Sequence, residues 1–354
     1  MNKKVWTIAS CILASTYCCA LSYRLTEVNA GLMPGFDKAQ AYDINSSGEL
    51  AGISINFNGG ESGGFTENGV WRRFQSDVGG TARAFAINDL GHVVGVGGIT
   101  GPVGRRAILM DDPNSGQAKS IGTLGGNFSE AYGINNNGYI VGDSGLSNNI
   151  LRGFIYRNGL MQDIGTLGGV STSARGINQL AQVTGTSDNS SNEKRAFIYD
   201  NGIMTDLGTL GGDSHGVAIN DSGEVVGYSN NEAFLYSNGV MNGLGTLSGT
   251  WSKAYDVNSS GQVIGQYGDS QFGSAFLYSN GQMYDLNDLI VEGLDWQVAA
   301  VRGINDAGQI TGFTYIDGTW RSFIASPVPE PTTLFVIGVL GLTMMQRNRL
   351  HPRK

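Results

Sequence analysis

One short pattern in the sequence determines the fold. It first appears as Ile44-Asn45-Ser46-Ser47-Gly48-Glu49-Leu50-Ala51-Gly52, and its form Ile-Asn-x-x-Gly-x-x-x-Gly occurs seven times in the 354 residues. The asparagine stands at Asn45, Asn88, Asn135, Asn178, Asn220, Asn258 and Asn305. Successive copies are therefore 43, 47, 43, 42, 38 and 47 residues apart. A fixed period in this range marks a repeat architecture. Residues present in every copy are expected to be scaffold; the fourth copy carries Ala181 in place of the first glycine.

Each repeat reads as four short strands joined by tight turns. In one copy the predicted strands are Ala174–Ile177, Gln182–Gly185, Ala196–Tyr199 and Ile203–Leu207, with a polar loop over Thr186–Lys194. Asn201-Gly202 separates the last two strands, and this dipeptide is the strongest short-range hairpin signal because both residues tolerate positive φ. The high glycine content of the chain, 55 residues without a collagen period, agrees with many such turns.

The third strand of each repeat is apolar on both faces, as in Phe154-Ile155-Tyr156. Burial on both faces fits a small sheet packed between two others, which is a propeller blade. The last repeat ends in a third strand, Arg321–Ala325, with no fourth after it, whereas Tyr23–Val28 precedes the first repeat. We therefore predict an all-β fold over residues 21–326, a seven-bladed β-propeller of four-stranded blades closed by the N-terminal strand. A neighbouring blade should crowd the backbone at Gly185.

Two recurrent phrases resemble the HAF family of extracellular repeats. They are Ala196-Phe197-Ile198-Tyr199, with two further copies, and Asp206-Leu207-Gly208-Thr209-Leu210-Gly211-Gly212. The resemblance covers most of residues 39–326, although Arg195, Glu232 and Ser274 replace the histidine of the family's name. It implies an extracellular location and a repeat architecture, and it implies no particular reaction.

Residues 1–20 are typical of a secretory signal peptide. Lys3 and Lys4 precede the apolar run Val5–Ala14, and small residues lead to a cleavage position near Ala20. The three cysteines of the chain, Cys11, Cys18 and Cys19, all lie in this segment. The mature protein should therefore be free of disulfides and stabilised by its own packing.

The C-terminal end has three parts in a specific order. We predict that residues 327–333 are a linker that contains Pro329-Glu330-Pro331, that residues 334–346 form a short transmembrane helix, and that residues 347–354 are a basic cytoplasmic tail. The basic residues of this tail are Arg347, Arg349, Arg353 and Lys354. This arrangement resembles the PEP-CTERM sorting signal. The resemblance implies an exosortase-type processing enzyme as partner, and a protein exported to the cell envelope that is anchored in the membrane at least transiently.

The charge of the central region limits its partners. The two ends hold six of the 22 basic residues and none of the 30 acidic ones, so residues 21–330 carry 16 basic and 30 acidic residues, a net charge of −14. Such a surface repels nucleic acid, and we predict no nucleic-acid partner. It suits cations or neutral polymers.

Catalytic and metal-binding motifs are scarce. The chain has His92, His215 and His351 as its only histidines, which argues against a zinc site. His92 and His215 are expected to be solvated residues beside repeat turns. Asn/Asp-rich turns such as 220–224 leave weak calcium binding as an alternative, but they lack the alternating acids of a calcium loop. We predict no catalytic residue, no bound metal and no cofactor.

Aromatic residues beside polar loops are the remaining candidates for a binding site. Phe128, Trp251, Phe272 and Trp296 are expected on one rim of the propeller. Aromatic rings can stack on sugar faces, although the same residues could instead fill gaps between blades. The sequence thus favours a non-catalytic surface or matrix protein that binds exopolysaccharide or a surface protein. The alternative is a propeller hydrolase or lyase that acts on surface polysaccharide.

Overall fold

The computed structural model describes residues 21–28, 36–56, 61–67, 69–99, 104–148, 150–269 and 273–329. The predicted signal peptide, transmembrane helix and basic tail lie outside these residues. Seven sheets of four or five strands follow one another along the chain. The prediction of an all-β, seven-bladed propeller of four-stranded blades is thereby confirmed.

The strands of the first three blades follow the chain from the innermost strand outward. Blade 1 contains β2 (Phe36–Ile44), β3 (Leu50–Asn56), β4 (Glu61–Glu67) and β5 (Val70–Arg73). Blade 2 contains β7 (Arg83–Ile87), β8 (Val93–Gly97), β9 (Arg106–Met110) and β10 (Gln117–Ser120), with β6 (Gln75–Ser76) outside β10. Blade 3 contains β11 (Ser129–Ile134), β12 (Ile140–Gly145), β13 (Leu151–Arg157) and β14 (Leu160–Asp163).

The next three blades repeat this order. Blade 4 contains β15 (Gly168–Ile177), β16 (Val183–Asn189), β17 (Lys194–Asp200) and β18 (Ile203–Asp206). Blade 5 contains β19 (Ser214–Ile219), β20 (Val225–Ser229), β21 (Glu232–Ser237) and β22 (Val240–Gly245). Blade 6 contains β23 (Trp251–Val257), β24 (Val263–Gly268), β25 (Ser274–Ser279) and β26 (Gln282–Asp285). The helical turn α1 (Leu286–Leu289) follows, and a 3-10 turn, Pro113–Ser115, precedes β10.

Blade 7 joins the two ends of the described chain. It contains β28 (Ala300–Ile304), β29 (Ile310–Ile316) and β30 (Thr319–Pro327). Its fourth strand is β1 (Tyr23–Val28), which pairs antiparallel with β30, and β27 (Ile290–Gly293) lies parallel to β1 at the outside. The predicted closure by the N-terminal strand is confirmed. The sheet continues to Pro327, one residue beyond the predicted boundary, because Pro327 pairs with Tyr23.

Each recurrent asparagine ties its blade to the next one. In blade 1 the Asn45 side-chain oxygen accepts from the backbone N–H of Ser47 (3.1 Å) and Glu49 (2.8 Å), which closes the turn. Its amide nitrogen donates to the backbone oxygen of Asn88 in blade 2 (3.2 Å). The equivalent inter-blade bonds of Asn88, Asn135, Asn178, Asn220, Asn258 and Asn305 measure 3.0, 3.0, 3.0, 3.0, 3.2 and 2.9 Å. Together they form a closed ring, which we call the asparagine ring.

The second glycine of the pattern faces a bulge in the innermost strand. A Cβ on Gly185 would lie 1.9 Å from the backbone oxygen of Ser173, and the same clash recurs at 1.9–2.1 Å at the other six copies. The prediction that a neighbouring blade crowds Gly185 is wrong: the crowding comes from β15 of the same blade. The register of β15 shifts between Ala174 and Gly176, so an extra residue pushes the carbonyl towards β16.

The cores lie between adjacent blades. Phe154 of β13 is fully buried and packs with Ile134 and Ile140 of its own blade and with Val94 and Ala107 of blade 2. Its counterparts Phe197, Phe234, Phe276 and Phe323 are equally buried. Burying one such ring contributes about 2–3 kcal/mol to stability, so the apolar third strands stabilise both neighbours of each blade.

The connection between the second and third strands of blade 4 contains more strand than the sequence predicts. The polar loop predicted over Thr186–Lys194 is largely strand, since β16 continues to Asn189 and β17 begins at Lys194. Ser187 pairs there with Arg195, which leaves only a short turn. No helix within the described residues is long and apolar enough to cross a membrane.

Candidate functional site

The centre of the propeller is a channel lined by the innermost strands. The lining side chain stands two residues before the Ile or Val of each pattern, where it is the extra residue of the bulge in the innermost strand. These residues are Tyr42, Phe85, Tyr132, Arg175, Val217, Tyr255 and Arg302. The cavity that they share has a volume of about 380 Å³, within the range of about 300–1,000 Å³ typical of small-ligand sites.

Aromatic rings from adjacent blades form a continuous arc on the channel wall. The ring of Phe85 lies 5.5 Å from that of Tyr132 at 27°, a stacked arrangement, and 6.0 Å from that of Tyr42 at 72°. The ring of Phe313 lies 6.0 Å from Tyr42 on its other side. Tyr42 donates its hydroxyl proton to Gln40 Oε1 (2.9 Å). Tyr42, Phe85 and Tyr132 are half-buried and line the channel, whereas Phe313 is buried beside Tyr42.

Two arginines face the channel from blades 4 and 7. The Arg175 guanidinium lies 3.9 Å above the ring of Tyr132 and 3.5 Å from Asp143 Oδ2. The Arg302 guanidinium lies 4.8 Å from the ring centre of Tyr255 and donates to Gln266 Oε1 (3.2 Å). Cation–π contacts of this kind hold a guanidinium in place.

Two carboxylates also line the channel, in blades 1 and 6. Asp43 accepts from the backbone N–H of Ile44 (2.8 Å) and of Ile87 in blade 2 (2.9 Å). Asp256 accepts in the same way from Val257 (2.9 Å) and from Ile304 in blade 7 (2.8 Å). Burial raises the pKa of Asp43 to about 7; burial and the Asp43 charge raise the pKa of Asp256 to about 8. Each carboxyl group therefore links its own blade to the next one by hydrogen bonds. Each is largely protonated at pH values below its raised pKa.

A side cleft of about 380 Å³ opens from the channel between blades 4 and 5. It shares Arg175, Val217 and Tyr255 with the channel. In the cleft the His215 ring stacks on Tyr228 at 4.7 Å and 24°.

The expectation that His215 is a solvated turn residue is wrong. His215 belongs to β19 and is half-buried, with its Nδ1 3.2 Å from the Thr186 hydroxyl. Burial lowers the pKa of His215, so the ring is neutral at pH 7. His92, by contrast, lies in the turn of blade 2, where its backbone N–H donates to Asn88 Oδ1.

The predicted rim aromatics lie apart from one another. Phe128 is half-buried against Gly145, and Trp251 lies against Gly268 and Gly273 of its own blade. Trp296 packs at the edge of the blade 7 core. Phe272 lies outside the described residues, as do Glu330, Pro331 and the four basic tail residues, whereas Pro329 follows the last strand. These contacts favour gap filling at Phe128 and Trp251, while a role in ligand binding stays a prediction.

The channel residues could not be predicted from the repeated pattern, because they stand at the position where the copies differ. The informative signal is the reverse: the position two residues before the Ile or Val varies among Tyr, Phe, Arg and Val, while the Ile-Asn-x-x-Gly pattern after it is repeated. A strand position free of the scaffold pattern faces solvent or a cavity. Among the described residues, no group of three or more His, Cys, Asp or Glu could hold a metal ion.

No protein-family model and no curated protein matches the sequence. Among solved structures, the chain is similar to TolB from Acinetobacter baumannii, with 14% identity over 79% of this chain and 64% of that one, at a TM-score of 0.47. It is similar to a puromycin-hydrolyzing peptidase of Mycobacterium tuberculosis, with 8% identity over 77% of this chain and 49% of that one, at 0.49. It is also similar to a mutant Aleuria aurantia lectin in complex with Fucalpha1-6GlcNAc. The identity is 12% over 84% of this chain and 98% of the lectin, at a TM-score of 0.38. The chain spans less than two thirds of the first two, and at such identities the likeness concerns the fold alone.

Proposed function

We propose that the protein is an exported, non-catalytic surface or matrix component that binds a polysaccharide in its central channel. The observation that carries this proposal is the aromatic arc of Phe313, Tyr42, Phe85 and Tyr132. The half-buried rings of Tyr42, Phe85 and Tyr132, with hydroxyls and guanidinium donors beside them, suit a ligand that has apolar faces and a polar edge. A sugar has both.

The location follows from the two ends of the sequence. The signal peptide and the Pro329-Glu330-Pro331 motif, with the apolar and basic segments after it, support export and sorting to the envelope by an exosortase-type enzyme. The net charge of −14 over residues 21–330 supports a neutral or weakly charged polymer as the ligand.

The second candidate is a hydrolase or lyase that acts on surface polysaccharide. It is favoured by Asp43 and Asp256, two channel carboxyl groups whose raised pKa values suit acid or base chemistry near pH 7. Binding ranks first because both oxygens of each carboxyl group already accept backbone hydrogen bonds, one from the next residue of the same strand and one from the neighbouring blade. A group committed to the scaffold in this way is poorly placed to transfer protons to a substrate.

A glycan array probed with the purified full chain tests the proposal. Binding to a set of glycans by the wild type, with loss in Phe85→Ala and retention in Tyr315→Ala, is expected. Tyr315 is the matched control, since it is aromatic, 59% exposed and not among the residues that line the channel. Absence of binding to any glycan would contradict the proposed function, and loss only in Tyr315→Ala would move the site to the rim.

A further inference from the structure

Arg302 differs from the other channel arginine in its partners. Arg175 is paired with the carboxylate of Asp143 at 3.5 Å. Arg302 has no ion-pair partner among the residues that the structure describes; its Nη1 donates to Gln266 Oε1 and to the Val301 backbone oxygen (2.9 Å). A guanidinium has five N–H donors in a fixed fork. Arg302 therefore offers charge and spare donors to a ligand.

The surroundings of Arg302 hold it in position. Its guanidinium lies between the rings of Tyr255 (4.8 Å) and Phe313 (5.2 Å). Burial raises the pKa of the Tyr42 and Tyr255 hydroxyls, and the Arg302 charge opposes that rise in both. The charge of Arg302 is thus felt by the tyrosines of both flanking blades, and a ligand that reaches Arg302 also meets aromatic faces.

The carboxyl groups in the channel do not cancel this charge. Asp43 and Asp256 each direct one oxygen to a backbone N–H of the neighbouring blade and the other to the next residue of their own strand. Burial keeps them largely protonated below about pH 7 and 8. Asp143 is occupied by Arg175, by Ser173 Oγ (3.0 Å) and by the Ala174 N–H (3.1 Å). Arg302 is thus the channel arginine that has no carboxylate partner among the described residues.

We propose that the channel accepts the terminal unit of a largely neutral glycan, and that Arg302 binds a carboxylate on that unit. This inference rests on the proposed function and specifies its ligand. Guanidinium and carboxylate groups pair with two parallel hydrogen bonds, which gives selectivity as well as affinity. The net charge of −14 over residues 21–330 repels a polyanion, so one carboxylate at the end of a neutral chain fits better than a uniformly acidic polymer.

The test uses a matched pair of ligands and the purified full chain. One ligand is a neutral oligosaccharide capped by a single uronic acid, and the other is the same molecule with that carboxyl group reduced to a primary alcohol. Calorimetry at pH 6.5 should give about 10-fold or tighter binding of the acid, as expected for a charge-assisted pair. Arg302→Gln should abolish this preference while it retains binding of the reduced ligand. Arg157→Ala, which removes an exposed arginine on blade 3, should leave the preference unchanged.

Two further measurements keep the test decisive. Arg302→Lys retains the charge without the forked guanidinium and should keep part of the preference for the acid. If Arg302→Gln fails to fold, Arg302→Lys and the salt dependence of the wild-type preference take its place. Salt should weaken that preference, because it screens an ionic contact. Equal binding of both ligands by the wild type would overturn the role of Arg302 and leave the proposed function standing. If no glycan binds, both fail; if only an acidic peptide binds, the anionic partner is a protein and the inference is wrong.

Discussion

The side-chain amide of Asn305 donates a 2.9 Å hydrogen bond to the backbone oxygen of Asn45, 260 residues earlier in the chain. This bond joins blade 7 to blade 1 and completes the asparagine ring. Each asparagine of the ring is at most 6% exposed, and its side-chain oxygen also closes its own turn. A single buried residue type therefore shapes seven turns and links seven blades.

Replacing Asn305 should destabilise the whole propeller. Asn305→Ala removes the bond to Asn45 and leaves the buried Asn45 oxygen and Gln309 N–H without these partners. A cost of about 2–3 kcal/mol is expected, because buried polar groups that lose partners cost about 1–3 kcal/mol. Urea unfolding of Asn305→Ala beside Asn114→Ala, an exposed control expected within about 0.5 kcal/mol of the wild type, measures it. Equal stability of the two variants would contradict a structural role for the ring.

Ala181 should be a local weak point of blade 4. It has φ of 63°, in a turn position that glycine occupies in the other six copies. The left-handed region costs a residue with a Cβ about 1–2 kcal/mol, partly offset by the greater freedom of glycine in the unfolded chain. Ala181→Gly should therefore stabilise the protein by about 0.5–1 kcal/mol.

The reverse change in blade 3 is the matched control for Ala181. Gly138 has φ of 74°, and nothing lies within 4 Å of the position that a Cβ would take there. Gly138→Ala should destabilise by a similar amount, because only backbone strain distinguishes the two residues. If Ala181→Gly destabilises the protein, the left-handed conformation at this turn is mistaken.

The two channel aspartates should make the protein less stable as the pH rises. Their pKa values in the folded state, about 7 and 8, lie above the unfolded value of about 3.9. The folded state therefore binds more protons between these limits, so this contribution is complete below about pH 4 and is lost as the pH rises through 7 and 8.

Asp43→Asn together with Asp256→Asn should flatten this decline, whatever the absolute stability of the double variant. Thermal unfolding between pH 5 and pH 9 gives the slope. Asp269→Asn is the control, since it removes an exposed carboxylate and should keep the wild-type slope. A double variant with the full wild-type decline would show that other groups cause it.

Replacement of Glu330 tests the sorting hypothesis. Glu330→Ala should leave the propeller folded, because the last paired strand ends at Pro327. The variant precursor should accumulate in the membrane with its tail attached, whereas the wild type should lose residues 347–354. Mass spectrometry of surface-located protein in a host with the processing enzyme decides the matter. An intact basic tail on the wild-type surface protein would mean that the tail is a permanent anchor.

Much of the scaffold could be predicted from the sequence because its signals are local and repeated. Asn158-Gly159 and Asn201-Gly202 adopt positive φ at both residues, as hairpin turns of this type require. The unpaired strands at the two ends implied closure, since an open edge is a liability in a sheet.

The candidate site was harder to predict because its residues are far apart in the sequence and come into contact only in the folded propeller. Tyr42 and Phe313 are in contact only because the ring closes, and no local pattern connects them. The stack of His215 on Tyr228 likewise depends on the side cleft between blades. An aromatic side chain near a polar loop, such as Trp251, is visible in the sequence, but Trp251 lies against Gly268 and Gly273 of its own blade.

The central claim is that one asymmetric channel, and not the seven repeats, binds the ligand and leaves it intact. Calorimetric titration of the full chain with an oligosaccharide identified on the array, followed by mass analysis of the recovered sugar, tests this most directly. We expect one ligand per chain, loss of binding in Phe85→Ala, and sugar of unchanged mass. Several equivalent ligands per chain would place binding on the repeated surface, and shortened sugar would mean that the propeller is an enzyme.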